Sequence, residues 1–266
     1  TRGVGKTGVV GTLKAGTSHR SIGLRADMDA LPMEELNTFA HKSQHLGCMH
    51  GCGHDGHTVM LLAAARYLAH SKNFDGTVQF IFQPAEEAND TGSGAKAMID
   101  DGFFERFPAD TVFAMHNAPD LALGAVATCT GAITASMDSF DVSITGKGTH
   151  GAMPHTGIDP IVIAAQMITA WQTIVSRNVN AQQGAVISTT AINAGESWNV
   201  IPNSAHIKGS VRTLSAEVRQ LVHERFYTLT NNIAEAFGAS VEIDYRFITP
   251  AMINDAKQTQ FACDVA

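Results

Sequence analysis

The sequence predicts an α/β chain of two domains in series. Three observations carry this reading. Buried-type strands alternate with helices up to about residue 130. The rhythm changes near residue 137, where alternating strands flank two long helices. The length, 266 residues, suits roughly two domains.

Segment 21–26 (SIGLRA) reads as a buried strand, followed by Asp27 and Asp29. Segment 57–69 (HTVMLLAAARYLA) reads as a helix, apolar nearly all round and therefore buried. Segment 76–83 (GTVQFIFQ) is β-rich and Pro84 ends it. An amphipathic helix is expected over 93–106 and another buried strand over 111–115 (TVFAM). Strands alternating with helices argue for a parallel sheet over 1–130. Segment 138–146 (DSFDVSITG) alternates, so one face is wet. A helix over 158–176, strands over 185–193 and 205–213, a helix over 215–236 and a strand over 240–248 follow. The resulting order, β-α-β-β-α-β, is the ferredoxin-like split pattern. The expected division is 1–136, 137–247 and a return to the first domain over 248–266. The chain begins at Thr1 and stops inside an expected helix after Asp255, which reads as an interior piece of a longer protein.

Composition narrows the function classes. Hydrophobic residues make up 44% and charged residues 16%, which excludes disorder, collagen and coiled coil. The longest apolar run falls far short of the ~20 residues of a membrane span. A net charge of −7 gives no basic footprint, so neither a nucleic-acid nor a membrane partner is expected. Four cysteines are too few for a disulfide scaffold. No leader-like segment is present, and a cytoplasmic location is the expectation. The unusual feature is histidine: of 12, five lie between His41 and His57, with Cys48 and Cys52 among them.

Three expected strands end in side chains able to bind metal: Asp27 and Asp29, Glu86 and Glu87, and His116. In open α/β sheets, sites form outside the carboxyl ends of strands. The turn Cys52-Gly53-His54-Asp55, just before the expected helix, can join them. Thiolate, imidazole and carboxylate together suit zinc or another borderline divalent ion. Side chains of adjacent residues diverge, so one of Glu86 and Glu87 can hold metal while the other faces a water whose pKa the metal lowers toward ~7. Singly, each residue has an ordinary reading. Cys52 alone is a small apolar residue, Glu86 and Glu87 a solvated helix start, Asp27 and Asp29 turn formers, His116 a strand-end histidine. His41, His45, His50 and His57 read as loop or helix-start residues. Four separate chain ends carrying suitable ligands make the metal reading.

The motifs GLRADMDALPMEE (23–35), MHGCGHDGHT (49–58), FQPAEE (82–87), AMHNAPDL (114–121), GKGTHGAMPHTGIDP (146–160) and NVIPNSAHIKGSVRT (199–213) stand in this order. They resemble the metallo-aminoacylase family of amidohydrolases, and its bacterial hippurate-hydrolase branch most. The resemblance implies a zinc-peptidase-like catalytic α/β domain interrupted by a smaller ferredoxin-like dimerisation, or lid, domain. It implies two divalent metal ions per subunit (Zn, Mn, Co or Ni) on Cys52, His54, Glu87 and His116, with Cys52 bridging. Glu86 then stands as general base, and Asp29 orients a metal ligand. His150 stands where a lid histidine reaches the partner subunit's site and steadies the carbonyl oxygen, and Asn199 matches a lid asparagine near the substrate. Arg212 is read as a clamp for a substrate carboxylate, since a guanidinium offers two parallel donors. The family takes a last histidine ligand from a segment beyond residue 266.

The function these features imply is hydrolysis of the amide of an N-acyl amino acid to a carboxylic acid and a free amino acid, by a homodimer joined through the lid domain, with segment 205–213 as an edge strand and the helix over 158–176 as the expected interface elements. The alternatives are a dipeptidase or exopeptidase on the same site and an inactive metal-binding relative. An intact Glu86 speaks against the latter.

Overall fold

The structure is a computed structural model that describes residues 1–87 and 93–266. The chain divides into two compact units, Thr1–Val126 and Ala127–Ala266.

The first unit opens with β1 (Arg2–Val4), β2 (Gly8–Ala15) and β3 (Ser21–Asp27). Next come α1 (His54–Ser71), β4 (Gly76–Gln83), α2 (Gly94–Asp100), α3 (Phe103–Arg106) and β5 (Thr111–Ala114). Its sheet has the order β1-β2-β4-β3-β5. The expected parallel sheet is therefore mixed. β3 runs parallel to β4 and β5, whereas β2 pairs antiparallel with both β1 and β4. A tight turn joins β1 to β2, and such a short connection permits only antiparallel pairing. One face packs Val4, Val10, Ile81, Met98, Phe103 and Phe107. The other packs Ala26, Val78 and Phe80 against Leu61 of α1.

Three further expectations are corrected here. α1 is not buried all round: Leu61 is covered, while Val59, Leu62 and Tyr67 are exposed, because a single face of the helix meets the sheet. The expected helix over 93–106 is two short helices, broken where Gly102 takes φ 73°. β5 is an edge strand with alternate residues open, not a buried one.

The second unit contains β6 (Gly131–Thr134), β7 (Met137–Thr145), β8 (Thr149–His150), α4 (Pro160–Thr173), β9 (Ala185–Ala194), β10 (Val200–Ile201) and β11 (Ser204–Thr213). It ends with α5 (Ala216–Ala236), β12 (Ser240–Thr249), β13 (Met252–Asn254) and α6 (Ala256–Val265). Four antiparallel strands form a sheet of order β12-β7-β11-β9. β6 with β13, and β8 with β10, form separate two-stranded ribbons. Local signals start both long helices. Asp159 accepts from the N–H groups of Ile161 and Val162 ahead of Pro160, and Ser215 accepts from that of Val218.

Phe140, Val142, Ile144, Ile207 and Val211 alternate along β7 and β11 and meet Ile163, Met167 and Trp171 of α4 and Val222 and Phe226 of α5. Trp171 stacks on Phe226 at 4.6 Å, and its indole N–H donates to Thr230. A bulge lies at Gly209, where a Cβ would strike the Phe140 ring and the Ser188 carbonyl; only glycine fits. Fully buried Asp138 is gripped by Arg219, and the Tyr245 hydroxyl donates to it. Burial, then that carboxylate, raises the Tyr245 pKa.

Candidate metal centre

Two strand ends, one turn and the segment after β5 bring ligand-type side chains of the first unit to one place. β3 delivers Asp27 and, two residues on, Asp29. The turn before α1 delivers Cys52 and His54. β4 leads through Pro84 and Ala85 to Glu86 and Glu87. The segment after β5 delivers His116. The backbone at the turns is specialised. Gly53 caps α1 at φ 80°, and a Cβ there would lie 2.6–2.7 Å from the Asn117 amide. Ala85 holds φ 51°, a left-handed conformation that costs a non-glycine residue roughly 1–2 kcal/mol. It immediately precedes the two glutamates.

The ligand-type atoms of Cys52, His54 and His116 lie within 4.8 Å of one another, as do those of His54, Glu86 and Glu87. His54 belongs to both groups. Its Nδ1 is 3.0 Å from the Asp29 carbonyl oxygen, which can only accept, so that nitrogen carries the proton. Nε2 then presents a lone pair. It is buried without a hydrogen-bond partner, 3.9 Å from Glu87 Oε1 and 3.7 Å from Asp27 Oδ2. His116 is arranged alike: Nδ1 donates to the Asn117 carbonyl at 2.8 Å, and Nε2 faces Cys52 Sγ at 3.4 Å. Asp29 organises two of these groups. Its carbonyl holds His54, and its carboxylate accepts from the Glu87 backbone N–H at 2.9 Å.

The electrostatics are those of a site rich in negative charge. Burial, then Glu87, Glu86 and Asp27, push the Cys52 thiol up to about 11. Burial and the Glu87 carboxylate also raise Glu86 above the ordinary carboxylate range, although its side chain reaches solvent. At Asp27 burial acts in the same direction, but the His57 hydrogen bond and the Arg25 guanidinium outweigh it and hold the carboxyl below that range. A divalent ion would offset the clustered carboxylates, draw a thiolate from Cys52 and occupy the lone pair that His54 Nε2 leaves unused. The donor set therefore fits the metal chemistry, with Cys52, His54, Glu86, Glu87 and His116 all within reach.

The family model described as peptidase family M20/M25/M40 matches residues 23–266. The chain belongs to this family. The M20 chain is 48% identical over 263 residues to a hippurate hydrolase of Campylobacter jejuni, covering 99% of itself and 68% of that relative. It is 44% identical over 262 residues to an N-acetyl-L-cysteine deacetylase of Bacillus subtilis, covering 98% of itself and 62% of that relative. A solved Bacillus subtilis structure, described as a dinuclear metal binding peptidase of the M20 family, superposes with a TM-score of 0.80 at 36% identity. The match covers 97% of this chain and 66% of that one.

The remaining residues singled out in this M20 sequence lie in the second unit. His150 on β8 pairs with Val200 on β10, and the Asn199 carbonyl accepts from the Gly151 N–H at 2.8 Å, so His150 and Asn199 share one ribbon. His150 Nδ1 accepts from the Ala152 N–H at 3.1 Å, which leaves the proton of the neutral ring on Nε2. Ser197 donates to Asn199 Oδ1 at 2.7 Å and fixes the amide with its NH2 turned away. Arg212 is not brought to that ribbon. It stands exposed near the far end of β11, roughly 26 Å from Ser204 at about 3.3 Å per residue. It joins none of the ion pairs among the described residues.

Three residues that the sequence reading passed over belong to the centre: Arg25, His57 and Asn117. Arg25 binds Asp27 Oδ2 at 2.8 Å. His57 stands in the first turn of α1, as read from the sequence, and is in addition buried, 3% exposed, linking Asp27 to Asn117. Its spacing of three from His54 puts both on one face of α1, which was the available signal.

Proposed function

We propose that this M20 chain is part of a metal-dependent amidohydrolase that cleaves N-acyl amino acids, hippurate-like substrates included, to a carboxylic acid and a free amino acid. The observation that carries the reading is the buried, unpartnered Nε2 of His54, set among Cys52, His116 and Glu87. Those four residues would hold two divalent ions. Bound there, such ions supply a water of lowered pKa and polarise the acyl carbonyl. Glu86, beside the ligands and open to solvent, takes the water proton and passes it to the leaving amine nitrogen. Asp29 keeps His54 and Glu87 in place. His150 Nε2–H, on a ribbon of the ferredoxin-like lid, donates to the developing oxyanion in the site of a second subunit. Asn199 contacts the substrate beside it; the Arg212 fork, about 26 Å along β11 from that ribbon, serves the substrate carboxylate only where a different chain supplies it.

The same reading makes the protein a homodimer joined through the lid. The interface expected from sequence, segment 205–213 with helix 158–176, is corrected in one respect. β11 is paired on both sides, so the available edges are β9 and β12; β9 carries exposed Val186 and Ile192.

Elemental analysis of the full-length enzyme, with benzoyl-glycine hydrolysis against panels of acyl amino acids and dipeptides, tests the function. Two divalent ions per chain and faster turnover of acyl amino acids are expected. Faster turnover of dipeptides would establish the exopeptidase alternative, and full metal loading with no turnover of either panel would defeat the reading. Cys52→Ser is expected to weaken metal binding by at least the roughly 10–100-fold that loss of a partner outside the coordination shell costs, because a neutral hydroxyl replaces a soft, charged donor. Unchanged affinity in a metal titration would reduce Cys52 to a packing residue.

A further inference from the structure

We infer that His57 is a positioning residue that ties the end of β3 to the segment after β5, so that Asp27 and His116 face one metal centre in fixed orientation. The inference rests on the metal reading above and adds a residue to it.

His57 is 3% exposed and both its ring nitrogens are engaged. Nδ1 lies 2.6 Å from Asp27 Oδ1; Nε2 lies 2.9 Å from the Asn117 backbone N–H and 2.6 Å from the Asn117 side-chain oxygen. Nε2 accepts from the Asn117 backbone N–H, so the proton of the neutral ring sits on Nδ1 and faces the Asp27 carboxylate. His57 is thus a poor metal ligand although its ring lies close to Asp27 and His54: no lone pair is left facing them. Its neighbour Thr58 reinforces the grip by donating to the Asp27 backbone carbonyl at 3.1 Å. The second Asp27 oxygen is held by Arg25, whose Nε donates in turn to Gln83 Oε1 at 2.9 Å.

The other end of the clamp explains its use. The β3–β5 ladder stops at the pair Arg25–Ala114, and β5 is a four-residue edge strand. His116 and Asn117 lie beyond it. Among the described residues, these two hydrogen-bond outside themselves only through His57 and Cys52. The Asn117 main chain is held at its N–H by His57, and its carbonyl accepts from His116 Nδ1. The relay Asp27–His57–Asn117–His116 therefore sets both the place and the tautomer of a ligand that no sheet pairing positions.

Cobalt(II) titration of the full-length enzyme, its His57→Ala, His57→Gln and Asp27→Asn variants and the Asp27→Asn/His57→Ala double variant tests the clamp. Thermal unfolding and far-UV circular dichroism verify the fold. Partners of this kind typically contribute 10–100-fold to metal affinity. The single variants should bind cobalt about 10–100-fold more weakly, still reach the wild-type stoichiometry at saturation and show altered cobalt d–d bands. Gln can keep one of the two hydrogen bonds, so its loss should be smaller, and it serves as the readout should His57→Ala not fold. Because Asp27 and His57 act as one unit, the double variant should lose less than the product of the separate losses. Folded variants with wild-type affinity and wild-type bands would overturn the inference alone. Loss of one whole ion at saturation would also overturn it, making His57 a ligand. A wild-type enzyme that binds no cobalt would overturn the metal reading and the clamp with it.

Discussion

Glu86→Gln in the full-length enzyme is expected to lower kcat by about 10²–10⁴-fold while leaving metal content intact, the range that general acid–base groups supply. The amide keeps the shape of the carboxylate and removes its capacity to take a proton. The structure gives the two adjacent glutamates different surroundings. The Glu87 backbone is anchored by Asp29, and its carboxylate lies 3.9 Å from His54 Nε2. Glu86 is exposed on the turn that follows left-handed Ala85. Burial and the neighbouring Glu87 raise its affinity for a proton, which brings a carboxylate closer to the driving force a base needs near neutrality. Metal analysis and steady-state kinetics on the same preparation check the result. Undiminished turnover would remove Glu86 from the chemistry, and loss of metal would make it a ligand.

His150→Ala should reduce turnover by about 10²–10³-fold with metal retained, the cost of one lost oxyanion donor. The ring is prepared for donation: Nδ1 is occupied by the Ala152 N–H, so the neutral imidazole carries its proton on Nε2. Complementation decides whether it acts across subunits. An inactive His150→Ala enzyme is mixed with an inactive Glu86→Gln enzyme and subunits are allowed to exchange. A mixed dimer then has one site with both wild-type groups and one with neither, and about half the wild-type activity per mixed dimer should return. Confirmed exchange with no recovered activity would place His150 in its own subunit's chemistry or outside the reaction.

The elements legible in the sequence were those specified locally. Alternation in 138–146 and 205–213 marked β7 and β11, whose inward residues bury while their neighbours do not. The helices expected over 158–176 and 215–236 start at Asp159 and Ser215, whose side chains cap N–H groups two or three residues away. The residues around the metal centre were legible for a related reason: each sits at the end of a strand or in a turn, where the pattern breaks off into a ligand-type side chain. His57 was not. It reads like His41, His45 and His50, which the structure leaves at least partly exposed, and what sets it apart lies 30 residues away at Asp27 and 60 residues away at Asn117.

By itself, then, the sequence determined roughly where the longer helices and strands lie, which residues can donate to a metal, and which family the chain resembles. Tertiary structure alone decided that β2 lies antiparallel beside β4 in an otherwise parallel group. It also decided that β11 is interior rather than an interface edge, that α1 covers its sheet with one face, and that one histidine in a crowded run becomes a buried link. The physical reason is common to all four. Strand order, helix exposure and the partner of a ring nitrogen depend on groups far apart in the chain, and neither a propensity nor a period within one segment carries that information.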